Sequence, residues 1–186
     1  MKIFSDFSVL KLSSRVPLAR WSPIPLRLIV GYGFMEHGFA KLSRGVDAFA
    51  AILHAIGVPH PHFMALLTIL TELLGGFAVM LGAFVAIVSV PMVAVLVVAI
   101  VTVQLPYGFS SIKLIGVTAA GAQFGPPGYE ANLLYLACLA ALVMGGSGPF
   151  AVDRLIGDAF SNYLQRSAQS QRPLRDRSAQ ESPVGA

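Results

Sequence analysis

Charge is scarce in this chain. Charged residues fill 12% of its 186 positions, about half of the ~25% usual in a soluble domain, which argues against an ordinary water-soluble enzyme. Cysteine is scarcer still, with Cys138 alone. A lone thiol forms neither an internal disulfide nor a dithiol relay, so any redox chemistry needs another carrier of electrons. Also missing are a Gly-rich phosphate loop, a nucleophile elbow and a pair of deep histidines for haem. The net charge of +4 does not form a stripe of Arg and Lys interleaved with aromatics, so no nucleic-acid partner is expected.

What the chain has in plenty is apolar length. Hydrophobic residues make up 55% of it, gathered into runs near the ~20 residues needed to cross a ~30 Å hydrocarbon core. Backbone groups in lipid must be satisfied within the segment or within a closed barrel, and continuous rather than alternating runs favour helices. The pattern predicts an all-α integral membrane four-helix bundle with spans at about 23–43, 62–82, 84–104 and 131–149. These spans make up a membrane domain over 23–157, between a basic head (1–22) and a polar tail (158–186) expected to be disordered. In the head, Ile3, Phe7 and Leu10 fall at the spacing of a short interfacial helix. No small-residue cleavage site is evident there, so the head is expected to be retained. Residues 44–61 read as an outer loop with a helical turn near 48–56. Residues 105–130, broken by Gly and Pro, read as an outer loop or a re-entrant segment.

Topology follows from where the cations lie. Lys2, Lys11, Arg15 and Arg20 precede the first span, and Arg154, Arg166, Arg172, Arg175 and Arg177 follow the last, whereas the long loops carry only Arg44 and Lys113. An even number of spans with this bias puts both termini on the cytoplasmic side. Trp21, Tyr107 and Tyr129 fit the interfacial aromatic belts.

The informative residues are ionisable groups inside apolar runs. Arg27, Glu36, His37 and Lys41 lie in the first span and Glu72 in the second. Such a group costs at least ~2.5–3.5 kcal/mol near the bilayer centre and usually turns inward to a partner. At 100° per residue, Arg27, Gly31, Phe34, Gly38 and Lys41 share one face, His37 borders it, and Glu36 points nearly the opposite way. Glu72 is expected to pair with Arg27 or His37. Arg27 and Lys41 also have a second reading, as side chains that snorkel to headgroups. Glu36 is read either as neutral and hydrogen-bonded or as facing another subunit. A helix-locking ion pair explains Glu72 without any chemistry. His54, His60 and His62 lie in the first outer loop, where His-Pro-His supplies only two ligands, so no metal site is assigned. Cys138 and Tyr135 read as packing residues of the fourth span.

In order and spacing these residues resemble the DoxX family. Arg27 followed by a Gly/Phe stretch and then His37-Gly38-x-x-Lys41 is similar to that family's opening motif. Glu72-x-x-Gly75-Gly76, running on to Leu81-Gly82, is similar to its second. Gly128-Tyr129-Glu130 precedes the fourth span, and Gly146-Ser147-Gly148-Pro149 leads to Asp153. Ser147 stands where the family has Pro, and Ala151 near its usual Ser. Gly38, Gly76, Glu130 and Asp153 are the positions carried over as family-motif residues.

The resemblance spans about residues 20–157. It implies a small four-helix protein of a bacterial plasma (inner) membrane, a component or accessory of an oxidoreductase, quinone-linked or oxidative-stress system. Quinone is the cofactor candidate, to be met near Arg27, His37, Lys41 and Glu72. The expected partners are the lipid bilayer, a redox enzyme subunit, or further copies of the same chain. Two other readings stay open. One is a non-enzymatic scaffold recruiting soluble partners through its tail, and the other is a small-molecule or proton-coupled carrier.

Overall fold

The computed structural model describes residues 20–165. The readings of a short helix at Ile3–Leu10 and of disorder beyond 165 fall outside the described residues. Helix accounts for 74% of what is described.

Helix α1, Pro23–Arg44, opens with prolines in its first turn, where a missing N–H costs nothing. It closes at Gly45 (φ 95°), with Lys41 and Arg44 in the last turn, the end at which a cation is favoured by the helix dipole. Arg27, Val30, Gly31, Phe34 and Gly38 form its buried face, the face read from the sequence, and Glu36 is exposed. Much of the expected first outer loop is a second helix, α2 (Val46–Ala55), which folds back so that Ala50 and Leu53 pack on Ala65.

Helices α3 (Pro61–Leu81) and α4 (Val85–Tyr107) are the two described helices long and apolar enough to cross a membrane. Gly82 (φ 68°) and Phe84 (φ 50°) make the turn between them. Gly82 has a further reason to be glycine, because a Cβ there would lie 2.2 Å from Arg27 Nη1. A helix apolar on all sides belongs either in a core or in lipid. Only 22% of the apolar window of α4 is buried, so a protein core does not explain it. Each of these helices contains a π turn, Thr71–Gly75 in α3 and Ile100–Gln104 in α4.

The expectation of an all-α chain is corrected in the second outer loop. Leu114–Thr118 (β1) and Gly121–Phe124 (β2) form an antiparallel hairpin, with Thr118 paired to Gly121. Helix α5, Glu130–Gly145, stops short of the expected 149 because Gly146 and Gly148 take positive φ. A last helix, α6, covers 152–165 and so runs past the expected start of the tail at 158.

Helices α1, α3, α4 and α5 each touch two of the others, in the cyclic order α1–α3–α4–α5. Val30, Phe34, Val79, Met92, Leu96 and Leu139 fill the space between them. The closest approach is between α1 and α3. A Cβ on Gly31 would stand 2.6 Å from the Gly76 carbonyl oxygen, and one on Gly76 would stand 2.7 Å from that of Gly31. Small residues that admit backbone contact are a usual solution where lipid removes the hydrophobic drive to associate.

Candidate functional site

The antiparallel contact of Gly31 with Gly76 sets which charges can meet. It brings Arg27 level with the end of α3, roughly 15 Å along the helix from Glu72 at 1.5 Å per residue. Arg27 therefore does not pair with Glu72, which corrects one of the two expected partners. Nor does Arg27 snorkel, being 5% exposed. Its Nη1 donates to the Ser147 carbonyl at 2.9 Å and its Nη2 to that of Pro149 at 3.5 Å. Asp153 completes this end of the molecule. Its carboxylate accepts from the Phe84 and Val85 N–H groups at the start of α4 and from Ser147 Oγ at 3.1 Å. Its own N–H donates to the Gly82 carbonyl. These contacts close a turn by satisfying backbone groups.

Lys41 is the cation that reaches Glu72. Its Nζ donates to both carboxylate oxygens, with the Glu72 side chain 5% exposed and that of Lys41 25%. Phe49 of α2 lies under the ammonium, with its ring centre 5.3 Å from Nζ, a cation–π contact that further favours the charge. Gly38 leaves room for the arrangement, since a Cβ there would come within 3.0 Å of Glu72 Cβ. The other expected partner, His37, makes no hydrogen bond to Glu72 but lines a cavity with it.

Two cavities adjoin at this pair. One, of about 410 Å³, lies among α2, α3 and α4 and is walled by apolar side chains such as Ile52, Leu67, Pro91 and Val98. The other, of about 320 Å³, lies between α1, α4 and α5 under the hairpin loop, and is lined by His37, Ser111, Asn132 and Tyr135. Lys41, Glu72 and Gln104 border both. Glu72 and Gln104 each sit in a π turn, a local widening that redirects side chains and recurs at functional sites.

Gln104 and Asn132 were not singled out from the sequence, although an amide in an apolar run was a signal that could have found them. Gln104 Nε2 donates to Asn132 Oδ1 at 3.3 Å, and Asn132 Nδ2 to the Leu96 carbonyl at 3.5 Å. Gln104 Oε1 is buried and accepts from no described residue. Tyr135 packs edge-on to Phe34, with ring centres 5.6 Å apart.

The remaining candidates lie elsewhere. Glu36 is on the exposed side of α1 next to Tyr32. Glu130 accepts from the Ser111 N–H at 3.0 Å and ties the hairpin loop to the start of α5. Gly76 and Asp153 serve the helix contact and the turn described above. His62 Nδ1 lies 3.3 Å from Asp47 Oδ1, both well exposed. Among the described residues no three His, Cys, Asp or Glu side chains converge.

The DoxX family model matches residues 22–105. This segment is a DoxX domain. It runs from the start of α1 to the last turns of α4 and contains Arg27, Glu36, His37, Gly38, Lys41, Glu72 and Gly76. Glu130 and Asp153 lie beyond it. No curated protein and no solved structure matches the chain. DoxX is a membrane family, and with α3 and α4 this makes the chain a DoxX-like membrane protein. What the arrangement offers chemically is a hydrogen-bonded acid and amine with a histidine nearby, set between an apolar cavity and a more polar one.

Proposed function

We propose that this DoxX protein is a membrane component of an oxidoreductase system, and that Lys41 and Glu72 receive the head of a lipid-soluble carrier, a quinone. The observation that carries the reading is the meeting of an apolar cavity and a polar one at a buried acid–amine pair. A quinone needs an apolar channel for its tail, donors for its carbonyl oxygens and a proton source on reduction. The larger cavity suits the tail, Lys41 and the Gln104 amide suit the carbonyls, and Glu72 with His37 suits the proton. The chain's residues hold no electrons of their own, so the electrons come from a partner enzyme.

In this reading α1 and α5 cross the bilayer with α3 and α4. The ends of the chain face the cytoplasm of a bacterial cell, and the protein resides in its inner membrane. The excess of Lys and Arg in the head and tail supports that orientation. The junction of the two cavities also favours a second reading, a carrier for a small molecule or proton, since parting Lys41 from Glu72 would join one space to the other.

The deciding experiment is purification in mild detergent with extraction of bound quinone and identification of co-purifying proteins. Stoichiometric quinone that is lost in Glu72→Gln and Lys41→Met, while both variants stay folded, supports the first reading. A protein that retains no quinone, and takes none up when it is supplied, sinks it. Proton-gradient-driven uptake that depends on Glu72 would then favour the carrier.

A further inference from the structure

Beyond Asp153 in its first turn, helix α6 makes none of the contacts described above. At 100° per residue, Leu155, Ile156, Phe160, Tyr163 and Leu164 collect on one half of its circumference. Arg154, Asp158, Ser161, Asn162 and Gln165 occupy the other half. The five large apolar side chains are between 50% and 66% exposed, so most of the stripe is left uncovered by the other described residues. On the polar half, Arg154 Nε lies 3.9 Å from Asp158 Oδ2, one helical turn away. Its fourteen described residues reach about 21 Å, short of a ~30 Å core, and the sequence from Gln165 to Arg177 is polar, which argues against a further span.

What lies where α6 begins indicates what covers the stripe. The Trp21 and Phe150 rings stack obliquely with centres 5.7 Å apart, and the Arg20 guanidinium sits 5.5 Å from the Trp21 ring centre. Phe150 is held at φ 56° with its ring exposed, only two residues before the helix. An exposed Trp with an adjacent cation and a second aromatic is the composition of the headgroup boundary. The chain thus leaves the helix cluster at interfacial depth and continues as a helix that is half apolar and half polar. A helix of this kind settles in the plane of the interface with its apolar half in the acyl boundary.

We infer that α6 is an in-plane membrane helix whose Ile156–Phe160–Tyr163 stripe lies on the lipid leaflet next to the Trp21–Phe150 end of the molecule. The inference rests on the membrane placement of α3 and α4 and is independent of quinone binding. The occupant is a lipid surface because the stripe is broad, half the helix, and lies where the bilayer is the nearest apolar phase. A groove-binding partner helix reads a narrower seam.

The test uses the full-length protein in lipid nanodiscs with Cys138→Ala as background. Ile156→Cys, Phe160→Cys, Asp158→Cys and Asn162→Cys are labelled one at a time with a small environment-sensitive fluorophore. Labels at 156 and 160 are expected to be quenched several-fold more by a headgroup-attached nitroxide lipid than labels at 158 and 162, with iodide giving the reverse order. Equal iodide quenching on both halves would mean that the helix stands in water, and would overturn the inference. Shielding of 156 and 160 from both quenchers would mean that a second copy or another protein covers the stripe, and would overturn it as well. Phe160→Glu, which places a charge at a side chain that is 61% exposed, should increase iodide access at 156 while the thermal unfolding of the remaining helices stays the same.

Discussion

Arg27 and Lys41 lie near opposite ends of α1, and each carries a full charge into an apolar run. Arg27 donates to two backbone carbonyls of the 147–149 turn, while Asp153, at the start of α6 just beyond it, caps α4. The groups it satisfies would be stranded without it, and Gly82 and Ala151 fill the space around it. Lys41 instead donates to a carboxylate that borders two cavities. A cation fixed on main chain in a filled turn can only hold structure, because nothing else can take its place. A cation on an ionisable partner next to open space has an alternative, since Glu72 can take up a proton and a ligand head can take over the lysine. The comparison separates a lock from a site on one helix.

The largest effect should come from breaking the lock. Arg27→Ala removes two charge-assisted hydrogen bonds, each worth about 1.5–3 kcal/mol, and takes the donor from the part-buried Ser147 and Pro149 carbonyls. A loss of about 3–5 kcal/mol is expected, read as a large fall in the midpoint of thermal unfolding in detergent. If Arg27→Ala unfolds like the parent protein, Arg27 is not the lock described here. Gly31→Leu should rival it, because its Cβ would meet the Gly76 backbone rather than a side chain that can move aside.

Next comes the ion pair, where single and double changes should part company. Breaking a buried pair from one side strands a charge and can cost about 3–5 kcal/mol, yet replacing both partners by apolar groups is often neutral. Lys41→Met is expected to cost less than Arg27→Ala, because Glu72 can be neutralised by a proton. Lys41→Met with Glu72→Leu should regain stability to within about 1 kcal/mol of the parent while binding no quinone. A double variant that is stable and still binds would move the site away from this pair. A double variant as unstable as Arg27→Ala would make the pair a second lock.

A smaller effect is expected at Asp153. Asp153→Ala removes a carboxylate from the start of α4, a capping interaction worth about 1 kcal/mol, and also releases Ser147 Oγ. Unfolding should shift modestly and ligand binding should not change. Altered binding would mean that the two ends are coupled through α4.

Much of this contrast could be read in advance, though not which residue plays which part. The buried face of α1 follows from its helical period, and Glu72 stands out as an acid that cannot reach water. The choice of partner could not be read, because it depends on the antiparallel register of α1 on α3, which the mutual contact of Gly31 and Gly76 sets. Nothing in Thr-Glu-Leu-Leu-Gly distinguishes a π turn from an α turn, so the redirection of Glu72 was hidden too. The hairpin escaped for a different reason. Its strands are joined through Ala119 and Ala120, which carry none of the Asn-Gly or Gly-Gly chemistry that marks a two-residue turn.

Gln104 should behave like neither Arg27 nor Lys41. Its Nε2 has one partner, Asn132, and its buried Oε1 has none among the described residues. A buried acceptor left unmade carries a desolvation penalty with nothing to offset it, whereas an apolar group of similar shape carries none. Gln104→Leu should therefore leave thermal unfolding unchanged or raise it slightly, with the loss at Asn132 balancing the gain. The same change removes a polar group that borders both cavities, so quinone retention should weaken even as the protein melts no earlier. If stability falls by as much as at Lys41, Gln104 belongs to the framework. If stability holds and binding weakens, the polar groups on these cavities are kept for a ligand rather than for the fold.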